Sequence, residues 1–206
     1  ESGLTEAADW PGLVELYAHL GQNASESVDQ SAYLRKAAQI EEIQLKNPVR
    51  AIEFLHGSLG GDDDAVLDTL AEMRRLLKMI EDWDNYLEVA TNELDLEEDS
   101  ERRAELLFDI GSVLESQAGD QEQALECFQA AFESDSNCHK ALWAARRIYR
   151  EQKDWDLVAQ LFQIEMEIVS EPQRRAEVLR ELGSVYLHDL EQPEQAQACF
   201  EGEGEG

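Results

Sequence analysis

One internal repeat constrains this chain more than any other feature. Trp10, Trp83 and Trp155 are spaced 73 and 72 residues apart, and each opens a similar run: W-P-G-L-V-E-L-Y, W-D-N-Y-L-E-V-A and W-D-L-V-A-Q-L-F. R-R-A-E-L-L-F-D-I-G-S-V from Arg102 returns as R-R-A-E-V-L-R-E-L-G-S-V from Arg174. A third series keeps the same period: Asn47-Pro48 with Ala51 and Ile52, Asp120-Gln121 with Ala124 and Leu125, and Gln192-Pro193 with Ala196. The 206 residues therefore hold just under three copies of a 72-residue unit. A fixed period of this kind is the mark of stacked modules, none of which buries its apolar stripe alone.

Each unit divides into four helical runs, in the middle copy 84–95, 101–117, 121–134 and 137–152. Apolar residues recur at three and four, as in Leu107, Ile110, Val113 and Leu114, or Ala124, Leu125, Phe128, Ala131 and Phe132. Ala118-Gly119-Asp120, Asp135-Ser136-Asn137, Lys153-Asp154 and Ser170-Glu171-Pro172 supply the breaks. Gly60-Gly61-Asp62 closes an earlier helix, with Asp62, Asp63 and Asp64 as N-cap and first-turn acids of the next.

Four helices per unit make two hairpins of about 36 residues each, near the tetratricopeptide period. Leu107, Ile110, Gly111 and Leu114 stand where that family has W-x2-L-G-x2-Y. Gly119-Asp120, Ala124, Phe128 and Ala131 then resemble its turn, small residue, aromatic and small residue. Leu179, Leu182, Gly183, Tyr186, Ala196 and Phe200 repeat the pattern, with a turn one residue longer than usual in both copies. The alternate hairpins depart from it. Arg146, within Leu142, Ala145, Arg146 and Tyr149, replaces the usual small residue, and Arg74 does so one unit earlier. The chain thus resembles the tetratricopeptide repeat (TPR) proteins. The resemblance implies an all-α, right-handed superhelical solenoid of stacked antiparallel hairpins with about 11 helices. A single array covers 1–200, as hairpins 1–29 (partial), 30–62, 63–100, 101–136, 137–171 and 172–200 (partial). The E-G-E-G-E-G of 201–206 reads as a flexible tail. The array starts and ends inside hairpins without a polar cap, the expectation for a window of a longer array or for ends covered by a partner.

Charge sorts the function classes. With 17 Lys+Arg against 46 Asp+Glu and a net charge of −29, the chain lacks the basic stripe that nucleic acid requires. No run approaches a membrane span, and no signal peptide is seen. Cys127, Cys138 and Cys199 form no CxxC pair, which fits a reducing, cytoplasmic setting. Cys127 and Cys199 read as small buried hydrophobes, whereas Cys138 at a helix start could be stabilised as a thiolate. Asn23-Ala24-Ser25 fits a glycosylation sequon, a weak signal by itself. No catalytic motif, metal-ligand set or cofactor fingerprint occurs, so the expected role is not enzymatic.

Against this acidity, Lys140, Trp143, Arg147 and Arg150 are spaced three, four and three, which puts them on one side of a helix. Arg75 and Lys78 are their counterparts one unit earlier. The TPR resemblance places these residues in a concave groove, where they would receive an acidic peptide or a free C-terminus of a partner protein if left unpaired. The competing reading pairs them with glutamates of adjacent helices. Trp10, Trp83 and Trp155 read as packing between hairpins. Two functions follow: a protein-interaction scaffold binding a peptide or helix in the groove, or an architectural segment that self-associates through uncapped ends.

Overall fold

The computed structural model describes residues 9–60 and 65–203. Among them are eleven α-helices and no strand, in two compact units that divide between Glu97 and Glu98. The first holds α1 (Trp10–Asn23), α2 (Ser27–Ile43), α3 (Pro48–Ser58), α4 (Val66–Met79) and α5 (Trp83–Leu96). The second holds α6 (Ser100–Val113), α7 (Gln121–Ser134), α8 (His139–Gln152), α9 (Trp155–Ile168), α10 (Pro172–His188) and α11 (Pro193–Glu203). The acids Asp62 to Asp64 lie outside the described residues. So do 204–206, but α11 runs to Glu203, three residues into the stretch expected to be tail.

Local chemistry sets the helix limits. Asp9, Asn47, Asp82, Asp99, Asp120 and Asp154 each accept from the backbone N–H three residues on, capping α1, α3, α5, α6, α7 and α9. Pro11, Pro48, Pro172 and Pro193, all the prolines of the chain, sit in the first turn of a helix, where a missing N–H costs nothing. Within each hairpin the reversal uses a left-handed residue just before the second helix: Lys46, Glu81, Gly119, Lys153 and Glu191, with φ of 55°, 60°, 68°, 59° and 54°.

Two kinds of hairpin alternate. In α2–α3, α6–α7 and α10–α11 the last turn of the first helix widens. Asn47, Asp120 and Gln192 donate to Glu41, Leu114 and Tyr186 at 2.8, 3.0 and 2.7 Å, six residues back. In the middle copy the widening is a π-turn, Leu114–Ala118, which absorbs the extra residue seen in the sequence. In α4–α5 and α8–α9 the corresponding bonds reach back five residues, from Asp82 to Leu77 and from Asp154 to Tyr149.

Packing separates the two kinds further. At Gly111 an added Cβ would stand 2.8 Å from Phe128 Cε1 and 3.1 Å from the Ala124 carbonyl oxygen, so glycine allows α6 and α7 to touch backbone to ring. Gly183 plays the same part against Phe200. The arginine hairpins fill that space differently, as described below. Trp10 and Trp155 are partly buried against the cores of Leu13, Val14 and Tyr17 and of Val158, Phe162 and Val178. Trp83 meets Tyr86 edge-on at 5.9 Å. The periodic tryptophans are packing residues.

Candidate functional site

In the second unit α8 lies between α6 and α10, and its outer side carries Lys140, Trp143, Arg147 and Arg150. Lys140 binds Glu105 of α6, with its Nζ 4.4 Å above the Phe108 ring. Arg147 reaches Glu115 in the π-turn at 2.5 Å, and Arg150 reaches Glu181 of α10 at 3.0 Å. In the first unit Arg75 pairs with Glu42 of α2 and, at 2.6 Å, with Glu72, while Lys78 is exposed. Lys78 aside, the unpaired bases that an acidic ligand would require are therefore not what the first-helix face of either unit offers. It presents rows of Lys/Arg–Glu pairs bridging neighbouring first helices. They are open to solvent on at least one side, the class of ion pair worth about 0–1 kcal/mol.

Trp143 differs. It is 46% exposed, among the largest apolar groups left uncovered. Its Nε1 donates to Glu165 Oε1 at 3.2 Å, and the Arg174 guanidinium stands 5.5 Å from its ring centre. Both contacts fix the ring's orientation while leaving area accessible.

Glu165 of α9 is the node behind this face. Its side chain is 1% exposed, yet it also accepts from Arg146 Nη1 at 2.5 Å and from Arg174 Nη2 at 2.6 Å and Nε at 3.1 Å. Arg146 occupies the place of Gly111 in the neighbouring hairpin, and its guanidinium lies 3.8 Å from the centre of the Phe162 ring. A small residue against an aromatic is thus exchanged for a buried guanidinium stacked on one. Burial by itself would raise the Glu165 pKa, but Arg146 and Arg174 outweigh it and hold the carboxyl below its ordinary value. Arg74 and Glu93 repeat the pair in the first unit at 2.7 Å.

No protein-family model matches the chain, and no curated protein does. Solved structures do. MamA superposes with a TM-score of 0.54 at 14% identity over 84% of this chain and 89% of that one. YrrB, titled a TPR protein with an unusual peptide-binding site, gives 0.52 at 17% identity over 84% of each. BtubC from P. vanneervenii gives 0.50 at 15% identity over 96% and 87%. The chain has the tetratricopeptide-repeat fold. At these identities the likeness speaks for architecture, and the stacked hairpins of each unit agree with it.

Within the TPR frame Arg146 was visible in the sequence as a departure at the small-residue position, but Glu165 was missed. With 46 acidic residues, one buried carboxylate does not stand out by type. The internal repeat carried the signal. Arg74–Glu93 and Arg146–Glu165 share a separation of 19 residues, whereas the hairpin with Gly111 has Ala131 in the glutamate's place.

The cysteines correct one expectation. Cys138 stands at the start of α8, but its side chain makes no cap and it is buried. Burial pushes its thiol up, more than Lys140 pulls it down, so no thiolate is stabilised. Burial likewise raises Cys127 and Cys199. All three should react with iodoacetamide at pH 8 more slowly in the native chain than in urea, by about tenfold or more. Native labelling of Cys138 at the unfolded rate would contradict the burial seen here.

Proposed function

We propose that this chain is a protein-interaction scaffold whose first-helix face, centred on α8, receives a partner peptide or helix. The observation that carries the reading is Trp143, exposed yet held in orientation by Glu165 and Arg174. Pre-ordered tryptophans beside arginines are the residues on which interface energy concentrates. Lys140, Arg147 and Arg150 form the polar surround within the second unit, and Arg75 and Lys78 hold the corresponding positions of the first unit. Their pairs with Glu105, Glu115 and Glu181 are weak enough to exchange for a partner's polar groups. The ligand this favours combines an apolar anchor for Trp143 with mixed charge, not a purely acidic segment. YrrB's titled peptide-binding site supports peptide recognition on such a scaffold.

The test is affinity capture with the intact chain, repeated with Trp143→Ala and with Arg147→Glu/Arg150→Glu. Trp143→Ala should reduce retention of a captured partner by about tenfold or more, the scale of a tryptophan hot spot. The charge reversal should do the same, with thermal melting close to that of the parent. Equal capture by all three proteins would defeat the proposal.

A further inference from the structure

Opposite the Trp143 face of α8, helices α7 and α9 leave a groove of about 690 Å³. Its walls and floor carry Leu125, Phe132, Tyr149, Leu157, Leu161 and Ile164, all partly exposed. The α7 edge adds Glu122, Glu126 and Glu133, and no lysine or arginine lines the groove.

Two independent comparisons inside the chain set this groove apart. The first is with its own repeat. The matching groove of the first unit, between α3 and α5 over α4, is about 460 Å³. Met73 stands there where Ala145 opens the floor of the larger one, and Asn85 where Leu157 lines it. By the same register Asn92 corresponds to Ile164. The hairpin therefore folds with polar residues at the places of Leu157 and Ile164, so these two apolar side chains of the α9 wall are not a demand of the fold. The second is electrostatic. On the first-helix side, Glu105, Glu115, Glu165 and Glu181 each pair with a base. Glu122, Glu126 and Glu133 form no ion pair among the described residues; Glu133 accepts only the Gln129 amide, at 2.8 Å. One wall is thus apolar and the other carries uncompensated negative charge.

We propose that the α7–α9 groove docks an amphipathic helix of a partner protein that carries a basic flank. The apolar stripe of this helix packs on Leu157, Leu161 and Ile164, and its lysines or arginines face Glu122, Glu126 and Glu133. A helix satisfies its own backbone hydrogen bonds, so it can lie against an apolar wall with side chains alone facing it. The acidic row from Glu122 to Glu133 spans about 16 Å at 1.5 Å per residue, the length of three helical turns. This surface is distinct from the Trp143 face and stands or falls without it.

The probe is a synthetic helical peptide of leucine and lysine, with leucines at i, i+3, i+4 and i+7. Its comparisons are the same composition scrambled and a leucine/glutamate version, all titrated by fluorescence anisotropy at physiological salt. The first variant is Leu157→Asn/Ile164→Asn, which copies the residues of the first unit. The second is Glu122→Lys/Glu126→Lys/Glu133→Lys, all on exposed positions that leave the core untouched. The helical leucine/lysine peptide should bind the parent chain and lose about tenfold or more in affinity to each variant. The charge-reversed chain should instead take up the leucine/glutamate peptide. Equal binding of the scrambled peptide, undiminished binding by both variants, or no binding to the parent chain would overturn the proposal. So would concentration-dependent self-association abolished by Leu157→Asn/Ile164→Asn, which would make the occupant a second copy.

Discussion

Glu165→Ala is expected to destabilise the second unit by about 3–5 kcal/mol, because it leaves a buried guanidinium without its counter-charge. The Arg146 and Glu165 side chains are 7% and 1% exposed, so water does not replace the lost partner. Arg174, at 30% exposure, can turn to Glu177 and solvent, and adds little to the loss. Urea unfolding followed by circular dichroism would read the change. A loss below about 1 kcal/mol, the range of an exposed pair, would mean that the node is solvated. The double variant Arg146→Gly/Glu165→Ala recreates the Gly111 and Ala131 arrangement of the preceding hairpin. It should cost less than the two single changes added together by about 2 kcal/mol or more, the coupling expected of a buried pair.

The same node has a pH signature. The Glu165 carboxyl lies below its ordinary value of 4.5 in the folded state. Its contribution is therefore complete above about pH 4.5 and is lost as the pH falls through the lower folded value. Glu165→Gln should flatten the acid limb of the stability curve in this window while lowering stability at neutral pH. An unchanged acid limb would assign the acid sensitivity to other carboxylates.

Gly111→Val should have the second large effect, a loss of about 1–3 kcal/mol from overpacking. Its Cβ would stand 2.8 Å from Phe128 Cε1 and 3.1 Å from the Ala124 carbonyl oxygen. Neither can give way: the oxygen is backbone, and Phe128 is 1% exposed within the core. The intrinsic helix preference of valine over glycine works in the opposite direction but is only a few tenths of a kcal/mol. Gly57→Ala is the control for replacing a helical glycine where space allows. That glycine is also helical, but its added Cβ would meet Leu34 Cδ1 at 3.5 Å, an ordinary contact. It should gain about 0.5–1 kcal/mol by the loss of glycine's backbone entropy. Equal responses at the two glycines would remove the close-approach argument for Gly111.

The sequence by itself determined the repeat, the alternation of two hairpins and most helix limits. These rest on interactions of short reach. Asp82, Asp120 and Asp154 cap the helices that follow them by bonding three residues ahead, and the prolines sit where only the first turn tolerates them. The 3.6-residue period likewise places Lys140, Trp143, Arg147 and Arg150 on one side of α8 before any neighbour is known. What those side chains meet was decided only by the tertiary structure. Lys140, Arg147 and Arg150 find Glu105, Glu115 and Glu181 at separations of 35, 32 and 31 residues. In a chain with 46 acidic residues every base has several acids within sequence reach, and only the packing of α6, α8 and α10 selects one. Burial made the same choice at Glu165. A glutamate is an ordinary solvated residue until two helices close over it, and then low polarity turns its three donors into a condition of folding.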